Sequence, residues 1–176
     1  MLMNILQIRG EFSDNGPGTQ ALTISQELRS RGYNVVLASS GGHLTEKIKK
    51  LGFKYYIIPS ISFKKRSFLN VLKSIFILRE IIIKEEIDVI HGHNAAVVFL
   101  TNIASIFSKR KVKFFQSVRG VENRPFFGWR NLIYRLNKYN SLFRVSQFTK
   151  NKVKSFGVED NKIVVTYNGT NLNRFE

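Results

Sequence analysis

The sequence contains no cysteine, which excludes a disulfide framework and any thiolate metal site and suits a reducing compartment. Proline is scarce, at three residues, and no repeat, low-complexity segment or internal linker breaks the chain. Long apolar runs are missing too. The longest uncharged stretch, Val89 to Ser108, carries His-Gly-His-Asn and further polar residues, so it reads as a strand and a helix rather than a membrane span. The opening MLMNILQIRG has no basic lead-in and no small-residue cleavage site, and reads as no secretory signal. There is no phosphate loop of the form G-x-x-x-x-G-K-[ST], no nucleophile elbow and no H-E-x-x-H pair. Acidic residues are few: 12 Asp and Glu stand against 28 Lys and Arg, a formal charge of +16. That balance bears on partners, favouring a phosphorylated substrate, an acidic bilayer surface or a nucleic acid.

What is present is the composition of an ordinary soluble domain, 43% apolar and 23% charged over 176 residues. Apolar strand-like runs at Asn4–Ile8, Asn34–Ala38, Lys54–Ile58, Asp88–His91, Lys113–Val118, Leu142–Val145 and Ile163–Tyr167 alternate with helical patterns. The helices are expected from Ala21 to Arg31-Gly32, from Gly41-Gly42 to Leu51, and over Ser67–Glu86, Ala95–Phe107, Phe127–Leu136 and Thr149–Phe156. Strands apolar on both faces imply a mostly parallel sheet covered on each side. The expected fold is therefore α/β: a Rossmann-like three-layer αβα domain with about seven strands, spanning residues 1–176.

Ligands of such sheets bind beyond the carboxyl ends of the strands. After the first strand comes RGEFSDNGPGTQA, where Gly16, Gly18, Thr19, Gln20 and Ala21 fit G-x-G-x-x-A ahead of a helix whose amide groups favour a phosphate. Several residues separate strand from glycine, and the second strand ends in Ser39-Ser40 without the acid that holds a ribose. A nicotinamide enzyme is disfavoured on both counts. In DVIHGHN, His91 and His93 share a face of the strand, with Asn94 beside them; one imidazole is expected to be structural and the other to face the ligand crevice. The third histidine, His43, makes no evident ligand set with them, so no metal is expected. In FFQSVRGVENRPFFGWRNLIYRLNK, Arg119 and Gly120 follow a strand directly, placing a cation where a phosphate would lie, and Glu122 is the nearby carboxylate. Arg124 and Arg130 mingle with Phe126, Phe127 and Trp129, while Lys64, Lys65 and Arg66 lead into an apolar helix. Both patterns suit either a snorkelling amphipathic helix or an anionic lipid surface. No single-strand platform or groove-reading motif accompanies the charge, and no nucleic-acid partner is expected.

Four segments together resemble the N-terminal domain of a GT-B fold glycosyltransferase of the retaining family 4 type. They are the glycine loop with its helix and RSRGYNVVLAS, then IDVIHGHN, then FFQSVRGVE, and last RVSQFTKNKVKSFGVEDNKIVVTYNGTNLNRFE. Asn168-Gly169 resembles the start of the family's "NG-x-D-x-x-x-F" signature, with Asn171 in place of the usual acid. The resemblance implies transfer of a hexose from a nucleoside diphosphate sugar to a glycan or lipid-linked acceptor, with retention and without metal or other cofactor. It implies that Arg119, in place of the family's histidine, and His93 act at the reacting centre. Gly16, Gly18, Thr19, Gln20, His91, Asn94, Gly120, Glu122, Asn168 and Gly169 would then line the substrates. Lys64, Lys65, Arg66, Arg124 and Arg130 would face membrane or acceptor. The chain is then expected to be the acceptor-side half of an enzyme, inactive alone, whose donor-binding domain lies in cis or on a separate chain, at the cytoplasmic face of the membrane. The rival expectation is a non-catalytic subunit that docks a donor partner onto membrane.

Overall fold

A computed structural model describes residues 2–61, 67–118, 129–144 and 146–167. Seven strands alternate with six helices: β1 (Asn4–Ile8), α1 (Gly16–Ser30), β2 (Asn34–Ser39), α2 (Thr45–Lys50), β3 (Lys54–Ile57), α3 (Phe68–Lys84), β4 (Val89–Gly92), α4 (Ala95–Ser108), β5 (Lys113–Val118), α5 (Trp129–Leu136), β6 (Ser141–Arg144), α6 (Gln147–Lys154) and β7 (Ile163–Val165). The strands form one wholly parallel sheet in the order β3-β2-β1-β4-β5-β6-β7.

Helix starts follow side-chain capping. Asn15 Oδ1 accepts from Gly18 N, and the Ser67 and Ser146 hydroxyls accept from Asn70 N and Thr149 N, each satisfying an amide the helix leaves unpaired. Pro17 fits the first turn of α1, where its missing N–H costs nothing. Helix α2 begins at Thr45 rather than at the glycine pair. Gly41 and Gly42 take φ of +115° and +127°, outside the helical region, and a Cβ on Gly42 would lie 2.4 Å from Phe12 O.

Alternation along each strand sorts the two cores. Leu6, Ile8, Val36, Ala38, Ile90, Phe114 and Leu142 pack on α3, α4 and α6 through Leu78, Ile82, Val98 and Val153. Val35 and Leu37 point the other way, to Ala21 and Leu22 of α1 and Ile48 of α2. Each fully buried aliphatic side chain contributes about 1.5–3 kcal/mol relative to exposure. Gly92 lets β4 run against α4, since a Cβ there would sit 2.2 Å from Val98 Cγ2. The strand order reverses between β1 and β4, so their loops diverge and leave a crevice at the carboxyl rim.

Candidate functional site

At that crevice lies a cleft of about 190 Å³ lined by Arg9, Pro17, His93, Asn94, Gln116 and Tyr134, among others. Larger hollows, of about 530 and 370 Å³, open at the amino ends of the strands, around Lys138 and around Asn4. We place the site in the smaller cleft, because a parallel sheet presents its ligand loops at the carboxyl rim.

The floor is built from polar residues on buried strands. His93 Nε2 lies 2.8 Å from Gln7 Oε1, and His91 Nε2 shares a 2.8 Å hydrogen bond with Ser117 Oγ. Both imidazoles are buried, with centroids 4.5 Å apart. His93 lines the cleft and His91 does not, so the two histidines divide into one crevice residue and one tied into the sheet. Asn94 caps the approach to α4, and its Oδ1 accepts from Gly10 N at 3.0 Å, pinning the β4 loop to the β1 loop. Arg9 reaches across the mouth, donating from Nε to Glu11 O at 2.6 Å. Burial pushes its pKa down and Glu11 partly opposes this; the guanidinium stays charged.

The glycine loop differs from expectation in its donors. Gly18 N is taken by Asn15 Oδ1 at 2.9 Å and Thr19 N by Asn15 O at 2.9 Å, so neither amide is offered to a ligand. Gly18 is required sterically: a Cβ would fall 1.9 Å from Ser13 O. Gly16 is exposed with nothing near its Cβ position, and Gln20 is half-buried on α1. Arg119, Gly120, Glu122, Arg124, Asn168, Gly169, Lys64, Lys65 and Arg66 lie outside the described residues, and Arg130 is described only as part of α5.

Two buried polar side chains, one lining the cleft and one behind it, also bear on this region. Gln116 of β5 is fully buried, and neither amide atom has a hydrogen-bond partner among the described residues. Arg144, at the end of β6, is also fully buried, and all three guanidinium nitrogens lack a partner among the described residues. Its Cζ lies 5.7 Å from the centroid of the Tyr134 ring, which lines the cleft, and Val118, its cross-strand neighbour, lines it too. Desolvation lowers the Arg144 pKa to about 10, with Tyr134 and Tyr139 acting in the opposite sense. Gln7, Gln116 and Arg144 are polar letters in largely apolar strands, Gln116 beside Ser117 and Arg144 at a strand end, a signal that becomes legible only once burial is known.

A parallel Rossmann-like sheet with its polar cleft at the strand-order reversal defines this chain as half of a GT-B architecture. Residues 14–174 match glycosyltransferase family 4, and the chain belongs to that family. Its fold resembles a glycosyltransferase from Rickettsia africae (TM-score 0.80, 20% identity, covering 99% of this chain and 45% of that one). It also resembles the lipopolysaccharide outer core galactosyltransferase WaaB (0.76, 17%, 97% and 47%) and MurG of Acinetobacter baumannii (0.67, 14%, 97% and 46%). The chain thus spans less than half the length of the solved structures it resembles. UDP-GlcNAc 2-epimerases share the fold as well, so the fold by itself does not fix the reaction. No curated protein matches the sequence.

Proposed function

We propose that residues 1–176 form the acceptor-side domain of a retaining hexosyltransferase. It takes part in moving a hexose from a nucleoside diphosphate sugar to a glycan or lipid-linked acceptor in polysaccharide or glycolipid synthesis. The observation that carries this reading is the cleft at the β1–β4 reversal, floored by His93, Asn94 and Gln116 and flanked by Arg9, in a chain of glycosyltransferase family 4. A similar structure, HepE of Anabaena, was solved with UDP and with UDP-glucose, which supports a nucleotide sugar as the donor class. In this reading a second domain, in cis or on another chain, holds the donor. The first domain presents the acceptor hydroxyl, and no metal takes part. His93 and Asn94 orient the acceptor, and Arg119 neutralises the departing diphosphate.

The domain acts at the cytoplasmic membrane face. Phe68, Leu72 and Phe76 recur at four-residue spacing on α3, with Leu69 adjacent. Phe68 and Leu69 are each 75% exposed and Phe76 is 65% exposed, a stripe too apolar for an ordinary solvated helix face. Among the described residues no helix is long and apolar enough to cross a membrane. A charge of +16 beside such a stripe matches an anionic bilayer surface. The same stripe favours, as second reading, a docking subunit without chemistry of its own.

Transfer from labelled nucleotide hexoses, assayed on this domain together with its donor domain, tests the proposal. Retained anomeric configuration in the product is expected. Inversion, or turnover undiminished by His93→Ala and Arg119→Ala together, rejects it in favour of another chemistry.

A further inference from the structure

The cleft contains an unbalanced positive field. Arg9 lines it, and so do Pro17 and Ala95, which stand in the first turns of α1 and α4. Both helices therefore direct the positive ends of their dipoles at the same small space. No carboxylate lines it among the described residues. Gln116 contributes a buried amide whose Nε2 and Oε1 have no partner among the described residues. Behind the Val118 and Tyr134 wall stands Arg144, fully buried, its guanidinium with neither hydrogen bond nor ion pair among the described residues. A buried cation without counter-charge is expensive in a folded protein, and its field is weakly screened by the low-dielectric surroundings. The volume of about 190 Å³ falls below the range of clefts that engulf a whole drug-sized ligand. The space suits one anionic group of a larger molecule.

We propose that the cleft is an oxyanion subsite that receives a phosphoryl group of the acceptor, held by Arg9 and the Gln116 amide, with Arg144 as the positioning residue that supplies positive potential from behind. The assignment to the acceptor rests on the transferase reading; the subsite itself does not. Arg144 and Gln116 project from the same face of adjacent strands, two register steps apart, since Gln116 pairs with Leu142 and Val118 with Arg144. The anion thereby provides a counter-charge that no described residue supplies. A carbohydrate acceptor lacking an anionic group leaves the Gln116 amide and the Arg144 charge without a partner among the described residues, so the cleft selects against it.

The test is a titration of the 176-residue chain with inorganic phosphate, glycerol phosphate and UDP, following the Gln116 side-chain amide by NMR and the melting temperature. Phosphate and glycerol phosphate are expected to shift that amide saturably and to raise the melting temperature, with UDP binding more weakly than glycerol phosphate. Arg144→Met is expected to weaken phosphate binding at least fivefold. Without phosphate it should melt no lower than the parent, because replacing an uncompensated buried charge by an apolar side chain is neutral or stabilising. Arg31→Gln, a change of the same charge on the surface, should bind as the parent does. Equal phosphate binding by parent and Arg144→Met, or an unmoved Gln116 amide, overturns the subsite. UDP displacing glycerol phosphate with higher affinity overturns its assignment to the acceptor. None of these arms reads turnover, so a failed transfer assay and a failed anion subsite are separate results.

Discussion

His93 and Gln7 meet at 2.8 Å across two adjacent central strands, 86 residues apart in sequence and both buried. With Gln7 Oε1 accepting, the imidazole carries its proton on Nε2, and the ring orientation facing the cleft is fixed from beneath. Gln7→Leu removes this acceptor from beneath a buried imidazole. The expected cost is about 1–3 kcal/mol in urea unfolding, with altered imidazole resonances for His93.

Asn94 and Gly10 hold the two rim loops together through one hydrogen bond of 3.0 Å. Asn94→Ala should expose the Gly10 amide to hydrogen exchange, whereas Asn94→Asp keeps the acceptor and the protection. The expected stability loss for the alanine variant is about 1 kcal/mol. Unchanged exchange at Gly10 in Asn94→Ala contradicts a coupling of the two loops.

Gly16 and Gly18, two residues apart in one motif, should respond oppositely to alanine. At Gly18 the added Cβ meets Ser13 O at 1.9 Å, and backbone must move; a loss of about 1–3 kcal/mol is expected. At Gly16 nothing lies within 4 Å, and alanine is expected to be neutral or to stabilise by about 0.4–1 kcal/mol through the unfolded chain. Chemical denaturation of the two variants side by side decides it.

Far from the cleft, Glu85 accepts from Tyr56 Oη at 2.5 Å and pairs with Lys54 Nζ at 2.6 Å. Burial acts to raise the Glu85 pKa, but the hydrogen bonds from Lys54 and Tyr56 together with the charges of Lys54 and Lys84 outweigh it, and the net shift is downward. Burial, then Glu85 itself, pushes Tyr56 up to about 12. A lowered carboxylate pKa stabilises the fold above the unfolded value, and that stability is lost as pH falls through the folded one. Below about pH 4.5, the group's ordinary value, the parent should lose stability that Glu85→Gln never had. Parallel acid titrations of unfolding that fail to converge at low pH refute the assignment.

On α3, Phe68→Ser with Phe76→Ser should abolish sedimentation with anionic vesicles, since apolar insertion and charge act together. High salt should weaken binding by the parent. Sedimentation of the double variant equal to that of the parent argues for a protein partner on this face.

Much of the fold is legible from the chain because both-face apolar strands and Gly-terminated helices alternate without interruption. Strand β1 and strand β5 begin and end as the pattern says, while β7 stops at Val165, short of Tyr167. Rim loops are legible too, as the only polar, glycine-bearing segments after the strands. Their internal bonding is not. Nothing local in GPGTQ tells that Asn15 occupies the Gly18 amide, and the partner of His93 lies in another strand. Gln116 and Arg144 escape for a related reason: a polar letter inside a strand declares its burial only when the covering helix is placed above it.

The order of the strands also bears on biosynthesis. Strand β1 is flanked by β2, whose register begins 30 residues on, and by β4, which reaches it only around Val89. At translation speeds of 5–20 residues per second, one edge of β1 waits roughly 4–17 s for its neighbour to leave the ribosome. During that interval β3-β2-β1 is a three-stranded wing with a bare apolar margin, a template for unwanted pairing. Chaperone demand should therefore be greatest in the interval between completion of β3 and emergence of β4.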